Sequence, residues 1–234
     1  MAREPAIEKG KEDEKMKRGL IAGVIFAAAL LVSPLHKIQA EPRGSVIVAL
    51  GDSLTVGLGL PQDEAFPAQL EAALKARGHD VMVVNAGVSG DTASAGLKRL
   101  DWALPGDASA VIVELGANDA LQGLPPEGTK AALAEIIEKL KARGLPVLLA
   151  GMEAPRNMGI DYVEEFRAIY ADLAAQYDVI LYPFFLEGAA LNDSMMQGDG
   201  IHPNGKGVAA IVESILPKVE ELLAKTGAQG PAAD

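Results

Sequence analysis

Five short runs of apolar residues recur along the chain after residue 44, each five or six residues long and rich in Val, Ile and Leu. A strand with one exposed face alternates apolar and polar residues, whereas a strand buried on both faces is apolar almost throughout. The pattern therefore predicts a parallel sheet covered on both sides. Its strands are expected at 45–50, 81–85, 110–115, 146–151 and 179–183.

Segments with helical periodicity lie between and after these runs. In the segment from Glu127, Leu133, Ile136, Ile137 and Leu140 are spaced at i, i+3, i+4 and i+7, which is typical of an amphipathic helix packed on a sheet. Glycines at 78 and 144 follow two of the segments, as expected at helix ends. The predicted helices are 65–77, 92–103, 127–143, 161–177 and 204–225.

The alternation of strands and helices predicts the α/β class, as a three-layer α/β/α fold around a doubly wound, five-stranded parallel sheet with right-handed crossovers. Such sheets place their active sites at the carboxyl ends of the strands. We expect one domain over residues 41–226 and a flexible tail over 227–234.

The first 40 residues have the layout of a secretory signal peptide. Basic residues at 15, 17 and 18 precede the uncharged run 19–32, and a short polar region ends at Ala40. The residues before Met16 are mostly polar or charged, which favours Met16 as the first residue of the signal peptide. A run of 14 residues is shorter than the roughly 20 that cross a bilayer, so cleavage near Ala40 is preferred over an uncleaved anchor. This predicts export across the inner membrane, into the periplasm.

Composition narrows the chemistry further. The chain has no cysteine, which excludes disulfides and thiolate nucleophiles. Without residues 1–40, 14 basic and 27 acidic residues remain, a net charge of −13. That charge opposes nucleic acid or anionic lipid as a partner and favours small or neutral substrates.

Gly51, Asp52 and Ser53 follow the first predicted strand, so Ser53 is expected at the carboxyl edge of the sheet. A serine in this position is a candidate nucleophile, and it is also a common helix cap. The surrounding sequence differs from the G-x-S-x-G elbow of α/β-hydrolases, so the triad order of that fold is not expected.

A serine nucleophile needs a base, and histidine is the usual one because it titrates near neutral pH. His79 precedes the second strand, at the opposite edge of the sheet, where we expect a surface residue. His202 follows the last strand, and Asp199 three residues earlier is placed to orient its imidazole. The alternative is a solvent-exposed histidine beside a capped helix.

Acyl transfer also needs hydrogen-bond donors for an oxyanion. The loop 85–92 contains Gly90, which could offer its backbone N–H, and the loop 116–119 contains Asn118, which could offer its side-chain amide. Each loop taken alone is equally compatible with a glycine turn or an Asx turn. Four loops that bring the required residue types to one edge favour catalysis.

These blocks resemble those of the SGNH hydrolase family: GDSL at 51–54, GVSGDT at 87–92, GAND at 116–119 and DGIHPN at 199–204. They occur in this order, and the similarity extends over nearly the whole chain after residue 40. In detail the sequence is similar to the bacterial branch of arylesterases, acyl-CoA thioesterase I and lysophospholipase L1. Ala117 stands where close relatives often have glycine.

The resemblance implies a flavodoxin-like strand order and a triad of Ser53, Asp199 and His202. It also implies an oxyanion hole formed by the N–H groups of Ser53 and Gly90 and the side chain of Asn118. Asp52 would support the site without acting as a catalyst. No metal or cofactor is implied.

The implied function is hydrolysis of carboxylic ester or thioester bonds through an acyl-enzyme on Ser53, with a small-molecule substrate that carries an apolar acyl group. Segments 152–160 and 184–197 are expected to line its groove, with methionines as adaptable contacts or as core residues: Met152, Met158, Met195 and Met196. Two alternatives are a carbohydrate O-acetylesterase of the same family and, more remotely, a non-catalytic flavodoxin-like binding protein. The sequence does not fix the acyl length, the leaving group or the oligomeric state.

Overall fold

The computed structural model of the protein describes residues 44–226. The export signal predicted over 1–40 and the tail predicted over 227–234 lie outside the described residues. Within 44–226, the helices are too short or too polar for any of them to cross a membrane.

Five parallel strands form one sheet in the order β2-β1-β3-β4-β5. This confirms the prediction of a doubly wound parallel sheet, and the order is that of flavodoxin-like folds. The strands are β1 Ser45–Gly51, β2 Val81–Gly87, β3 Ala110–Glu114, β4 Val147–Ala150 and β5 Ile180–Tyr182.

Helices cover both faces of the sheet, with α2 packed against α7 on one face and α5 packed against α3 and α6 on the other. Two further helices, α1 and α4, are single turns at the carboxyl edge. The bounds are α1 Ser53–Val56, α2 Phe66–Ala76, α3 Ala93–Ala103, α4 Ala117–Leu121, α5 Pro126–Ala142, α6 Ile160–Tyr177 and α7 Gly205–Thr226.

The two central strands anchor the core. Residues 47–50 of β1 and 110–113 of β3 are essentially inaccessible to solvent. In α5 the predicted apolar stripe is buried, including Leu133 and Ile136. A sheet buried on both faces explains why these strands are continuous apolar runs in the sequence.

The strand ends differ from their predicted positions by one or two residues. β2 continues to Gly87 because Ala86 and Gly87 pair with Leu50 and Gly51, so part of the predicted loop 85–92 belongs to the strand. β3 ends at Glu114, one residue early. The short helices α1 and α4, with four and five residues, have too few turns to show periodicity in the sequence.

Two glycines inside helices give a test of this packing. Gly96 lies where α3 approaches the sheet, and a Cβ there would collide with a terminal methyl of the fully buried Leu115. Gly128, in α5, has open space around the corresponding position.

We expect Gly96→Ala to lower the free energy of unfolding by about 1–3 kcal/mol, because overpacking outweighs the gain in helix propensity. Gly128→Ala should raise it by up to about 1 kcal/mol, since only propensity changes. Urea unfolding of both variants beside the wild type measures the two effects. Equal stabilisation by both alanines would show that α3 does not pack as closely as described.

Candidate active site

Ser53 is the first residue of α1, immediately after β1 at the carboxyl edge of the sheet. The side chain of Asp52 caps this helix by accepting a 2.9 Å hydrogen bond from the Leu54 N–H. The capping role that the sequence left open for Ser53 therefore belongs to Asp52, and the Ser53 hydroxyl is available for other contacts.

His202 connects Ser53 to Asp199. Its Nε2 lies 3.0 Å from Ser53 Oγ, and its Nδ1 lies 2.6 Å from Asp199 Oδ2. The other oxygen of Asp199 accepts hydrogen bonds from the backbone N–H groups of Ile201 and His202. The hydrogen bonds from the His202 ring and from these two N–H groups hold the pKa of Asp199 well below its ordinary value. Asp199 is thus a carboxylate that fixes and polarises the imidazole.

The loop that carries His202 is held by two amide side chains that the sequence interpretation did not single out. Gln197 donates to the carbonyls of Leu58 and Pro203, at 2.8 and 3.0 Å. Asn204 accepts from the N–H groups of residues 206 and 207 and so caps the start of α7. The position of the imidazole is therefore set by this loop as well as by Asp199.

His79 lies away from this site, as predicted. It precedes β2 at the opposite edge of the sheet, and its Nε2 is 3.3 Å from a carboxylate oxygen of Glu220 in α7.

Gly90 and Asn118 both lie beside the pocket that contains Ser53 and His202. Gly90 has a φ of 86° and open space around its Cα. Within residues 44–226, the backbone N–H groups of Ser53 and Gly90 donate no hydrogen bond to other backbone groups. Asn118 Nδ2 donates to Asp52 Oδ2 at 2.9 Å and to the Asp91 carbonyl at 3.0 Å.

An ion pair between α3 and the Gly90 loop fixes that loop to the first strand. Arg99 Nε donates to Asp91 Oδ2 at 2.5 Å, and its Nη2 donates to the carbonyl of Gly51 at 2.9 Å. Both side chains are mostly buried. The ion pair was not predicted, because its partners lie in different elements and are ordinary surface residue types.

Two carboxyl groups are buried beneath Ser53. Burial raises the pKa of Asp52 to about 6, although the Leu54 N–H, the charge of His202 and the Asn118 amide oppose this shift. Glu114, at the end of β3, lies next to it and was not identified as a site residue. The available signal was a single acidic residue in an otherwise apolar strand, since charged residues are rarely buried without a reason.

A groove of about 440 Å³ opens beside Ser53. Its described lining contains one carboxylate, Glu153, and no lysine or arginine, and Glu153 Oε1 lies 3.7 Å from Arg167 Nε. Of the four methionines expected as groove contacts or as core residues, Met152 and Met196 line the groove, and Met152 is also buried in the core. Met195 packs against the core, and the terminal methyl of Met158 lies next to Gly123, so neither belongs to the described lining. The apolar lining is formed by Leu54, Leu58, Ala117, Leu121, Met152, Pro155, Phe184, Leu186, Ala190, Leu191, Met196 and Ile201.

Comparisons with known proteins identify the family of this chain. Residues 49–210 match the model of the GDSL-like Lipase/Acylhydrolase family. The chain is 39% identical over 199 residues to the esterase TesA of Pseudomonas aeruginosa, which covers 83% of this chain and 99% of that protein. It is also 39% identical over 178 residues to thioesterase 1/protease 1/lysophospholipase L1 of Escherichia coli strain K12, covering 76% of this chain and 84% of that protein.

A solved structure shows the same similarity. The crystal structure of AlinE4, an SGNH-hydrolase family esterase, is 44% identical in sequence and superposes with a TM-score of 0.65 over 77% of this chain and 97% of that one. With the family match over most of the described chain and these relatives, the protein belongs to the GDSL-like lipase/acylhydrolase family.

Proposed function

We propose that this protein is a serine hydrolase that cleaves carboxylic ester or thioester bonds through an acyl-enzyme on Ser53. The observation that supports this most directly is the hydrogen-bonded series from Asp199 through His202 to Ser53, which ends at an apolar groove. A nucleophile, a base and a carboxylate that orients the base are what acyl transfer through serine requires.

In the proposed cycle, His202 Nε2 accepts the proton of Ser53 as Oγ attacks the acyl carbon. Asp199 stays ionised and stabilises the imidazolium that forms. His202 then returns the proton to the departing alcohol or thiol. Water repeats the two steps and releases the acid, and Ser53 regains its proton.

The oxyanion would be held by the N–H groups of Ser53 and Gly90 and by the Asn118 amide. Both N–H directions of Asn118 Nδ2 are occupied in the free protein, by Asp52 and by the Asp91 carbonyl. For Asn118 to serve as a donor, the substrate oxygen must take over or share one of these bonds. The Asp91 carbonyl is the partner we expect to be displaced, because the carboxyl group of Asp52 is the stronger acceptor.

The groove favours a neutral, apolar acyl group. Its described lining contains no lysine or arginine that could pair with a negatively charged leaving group, and Glu153, whose carboxylate lies 3.7 Å from Arg167 Nε, adds no positive charge. This supports aryl esters and short- to medium-chain esters over acyl-CoA, whose leaving group carries several negative charges. Lysophospholipids, with a single phosphodiester in the leaving group, stand between the two. It also favours an esterase for apolar acyl chains over a carbohydrate O-acetylesterase, whose substrate would need polar partners along the groove.

Hydrolysis of p-nitrophenyl esters tests the proposed function. We expect Ser53→Ala and His202→Ala to abolish turnover, and Asn118→Ala to lower kcat by about a hundredfold to a thousandfold, because an oxyanion donor is lost. His79→Ala is the matched histidine control and should keep wild-type kinetics. Turnover that survives in Ser53→Ala would rule out the proposed mechanism.

Leu191 gives a test of the acyl groove. It is 92% exposed, lines the groove and has a φ of 63°, a conformation that is costly for leucine. We expect Leu191→Gly to stabilise the protein, and to raise KM for p-nitrophenyl octanoate while leaving KM for the acetate ester unchanged. The comparison is made by steady-state kinetics and urea unfolding.

Asp178 is the matched control for Leu191, because it also has a positive φ, of 51°, but caps α6 at the opposite edge of the sheet. Asp178→Gly should relieve strain without changing either KM. A proportional change of both KM values in Leu191→Gly would contradict a role for this residue in chain-length preference.

We further propose that residues 1–40 are an export signal, that the hydrolase domain spans 41–226, that 227–234 is a flexible tail, and that the enzyme acts in the periplasm. The charged, apolar and small-residue regions before Glu41 support this. Amino-terminal sequencing of the protein recovered from a periplasmic extract should give Glu41 as the first residue. Recovery in the membrane fraction with residues 19–32 still attached would favour an uncleaved anchor.

A further inference from the structure

Glu114 lies directly beneath the turn that carries the proposed nucleophile. It is the last residue of β3 and is 1% exposed. Its Oε2 accepts a 2.6 Å hydrogen bond from Thr55 Oγ1 and a 3.3 Å bond from the Asp52 N–H. Since residues 52 and 55 flank Ser53, one carboxyl oxygen holds both ends of the turn.

The neighbouring strand, β1, leaves room for this carboxyl group. Gly51 of β1 is paired in register with Glu114. A Cβ on Gly51 would lie 2.6 Å from Glu114 Oε2 and would overlap Thr55 Oγ1. The hydrogen bond between Thr55 and Glu114 therefore depends on a residue without a side chain at position 51.

The surroundings of Glu114 disfavour a negative charge. Its Oε1 is buried and has no hydrogen-bond partner among the described residues. The neighbouring charged group is the carboxyl of Asp52, and burial together with that carboxyl raises the pKa of Glu114 well above its ordinary value. Tyr170 of α6 also approaches, but it donates its hydroxyl to the Leu115 carbonyl at 3.0 Å.

Asp52 is better placed to hold the charge of this pair. It accepts from the Leu54 N–H and from Asn118 Nδ2, both at 2.9 Å, and His202 lies near enough to stabilise its ionised form. The cation that reaches this edge from α3, Arg99, is bonded to Asp91 and to the Gly51 carbonyl. A single negative charge, on Asp52, is therefore enough for the hydrogen-bond donors that surround the two carboxyl groups.

We propose that Glu114 is a positioning residue that acts as a neutral carboxylic acid, clamping the nucleophile turn through Asp52 and Thr55 and leaving the negative charge on Asp52. This inference rests on the proposed function for its effect on catalysis. An ionised Asp52 polarises the amide of Asn118, which makes the second N–H of that amide a stronger donor for the oxyanion. Two adjacent buried carboxylates would repel each other and disturb the turn between them.

Two substitutions separate the neutral clamp from a charged one. Glu114→Gln keeps the shape, the acceptor and the neutral charge, so kcat and KM should stay within about threefold of wild type. Glu114→Leu removes the acceptor at similar volume and should lower kcat by about tenfold or more with little change in KM, since Ser53 and Asn118 would be less well placed. Thr55→Val removes the other half of the hydrogen bond at constant shape and should lower kcat in the same way, which provides the test if Glu114→Leu does not fold.

The pH dependence of stability tests the protonation state itself. A carboxyl group whose pKa is raised on folding binds its proton more tightly in the folded state, so it stabilises the fold at low pH. That advantage is lost as the pH rises from the pKa of the Glu114 carboxyl in the unfolded chain towards its pKa in the folded protein. The advantage of Glu114→Gln over wild type should therefore grow between pH 5 and pH 8, by up to about tenfold in the folding equilibrium constant per pH unit. Because Asp52 is present in both proteins, the comparison reports the titration of Glu114 together with its coupling to Asp52.

A stability difference that does not change with pH would show that Glu114 is ionised and would overturn the proposal. A loss of kcat in Glu114→Gln equal to that in Glu114→Leu would also overturn it. The unfolding measurement does not depend on catalysis, so it distinguishes this proposal from the proposed function, whose failure would appear as turnover that survives in Ser53→Ala.

Discussion

Burial of β1 and β3 on both faces is the constraint on which the rest of the structure depends. Because these neighbouring strands are parallel and solvent is excluded from their centres, their carboxyl ends must emerge side by side. Ser53 follows one end, and Glu114 lies at the other. The turn that carries Ser53 is therefore positioned by the hydrophobic core.

The carboxyl groups of the site differ in their exposure to solvent and therefore in their pKa shifts. Asp52 and Glu114 are buried below Ser53, Asp119 is buried in α4, and burial raises the pKa of each. Asp119 links α3 to α5 at this edge, since it accepts hydrogen bonds from the first N–H of α3 and from the hydroxyl of Thr129 in α5. Asp199 is partly exposed above Ser53 and stays ionised because it accepts three hydrogen bonds. Carboxyl groups of the same type thus have pKa values shifted in opposite directions, because their exposure and hydrogen-bond donors differ.

The loops at this edge of the sheet differ in how closely side-chain contacts hold them. The Gly90 loop is fixed by the buried pair of Arg99 and Asp91, and the His202 loop is fixed by Gln197 and Asn204. The groove wall that contains Leu191 has instead a strained residue with little packing around it. The proposed reaction requires fixed reacting groups, which the contacts of Arg99, Gln197 and Asn204 provide.

The sequence by itself determined the five strands, the main helices to within one or two residues, and the four blocks that carry Ser53, Gly90, Asn118 and the pair Asp199 and His202. It could do so because burial on two faces leaves continuous apolar runs, and because loops after parallel strands must meet at one edge. Only the tertiary structure decided that Asp52 caps α1, that both N–H directions of Asn118 are occupied, that Met195 packs against the core outside the groove, and that Glu114 lies under the turn that carries Ser53. These features depend on distances between side chains that lie far apart in the chain, and a linear pattern records which residues are buried but not which of them touch.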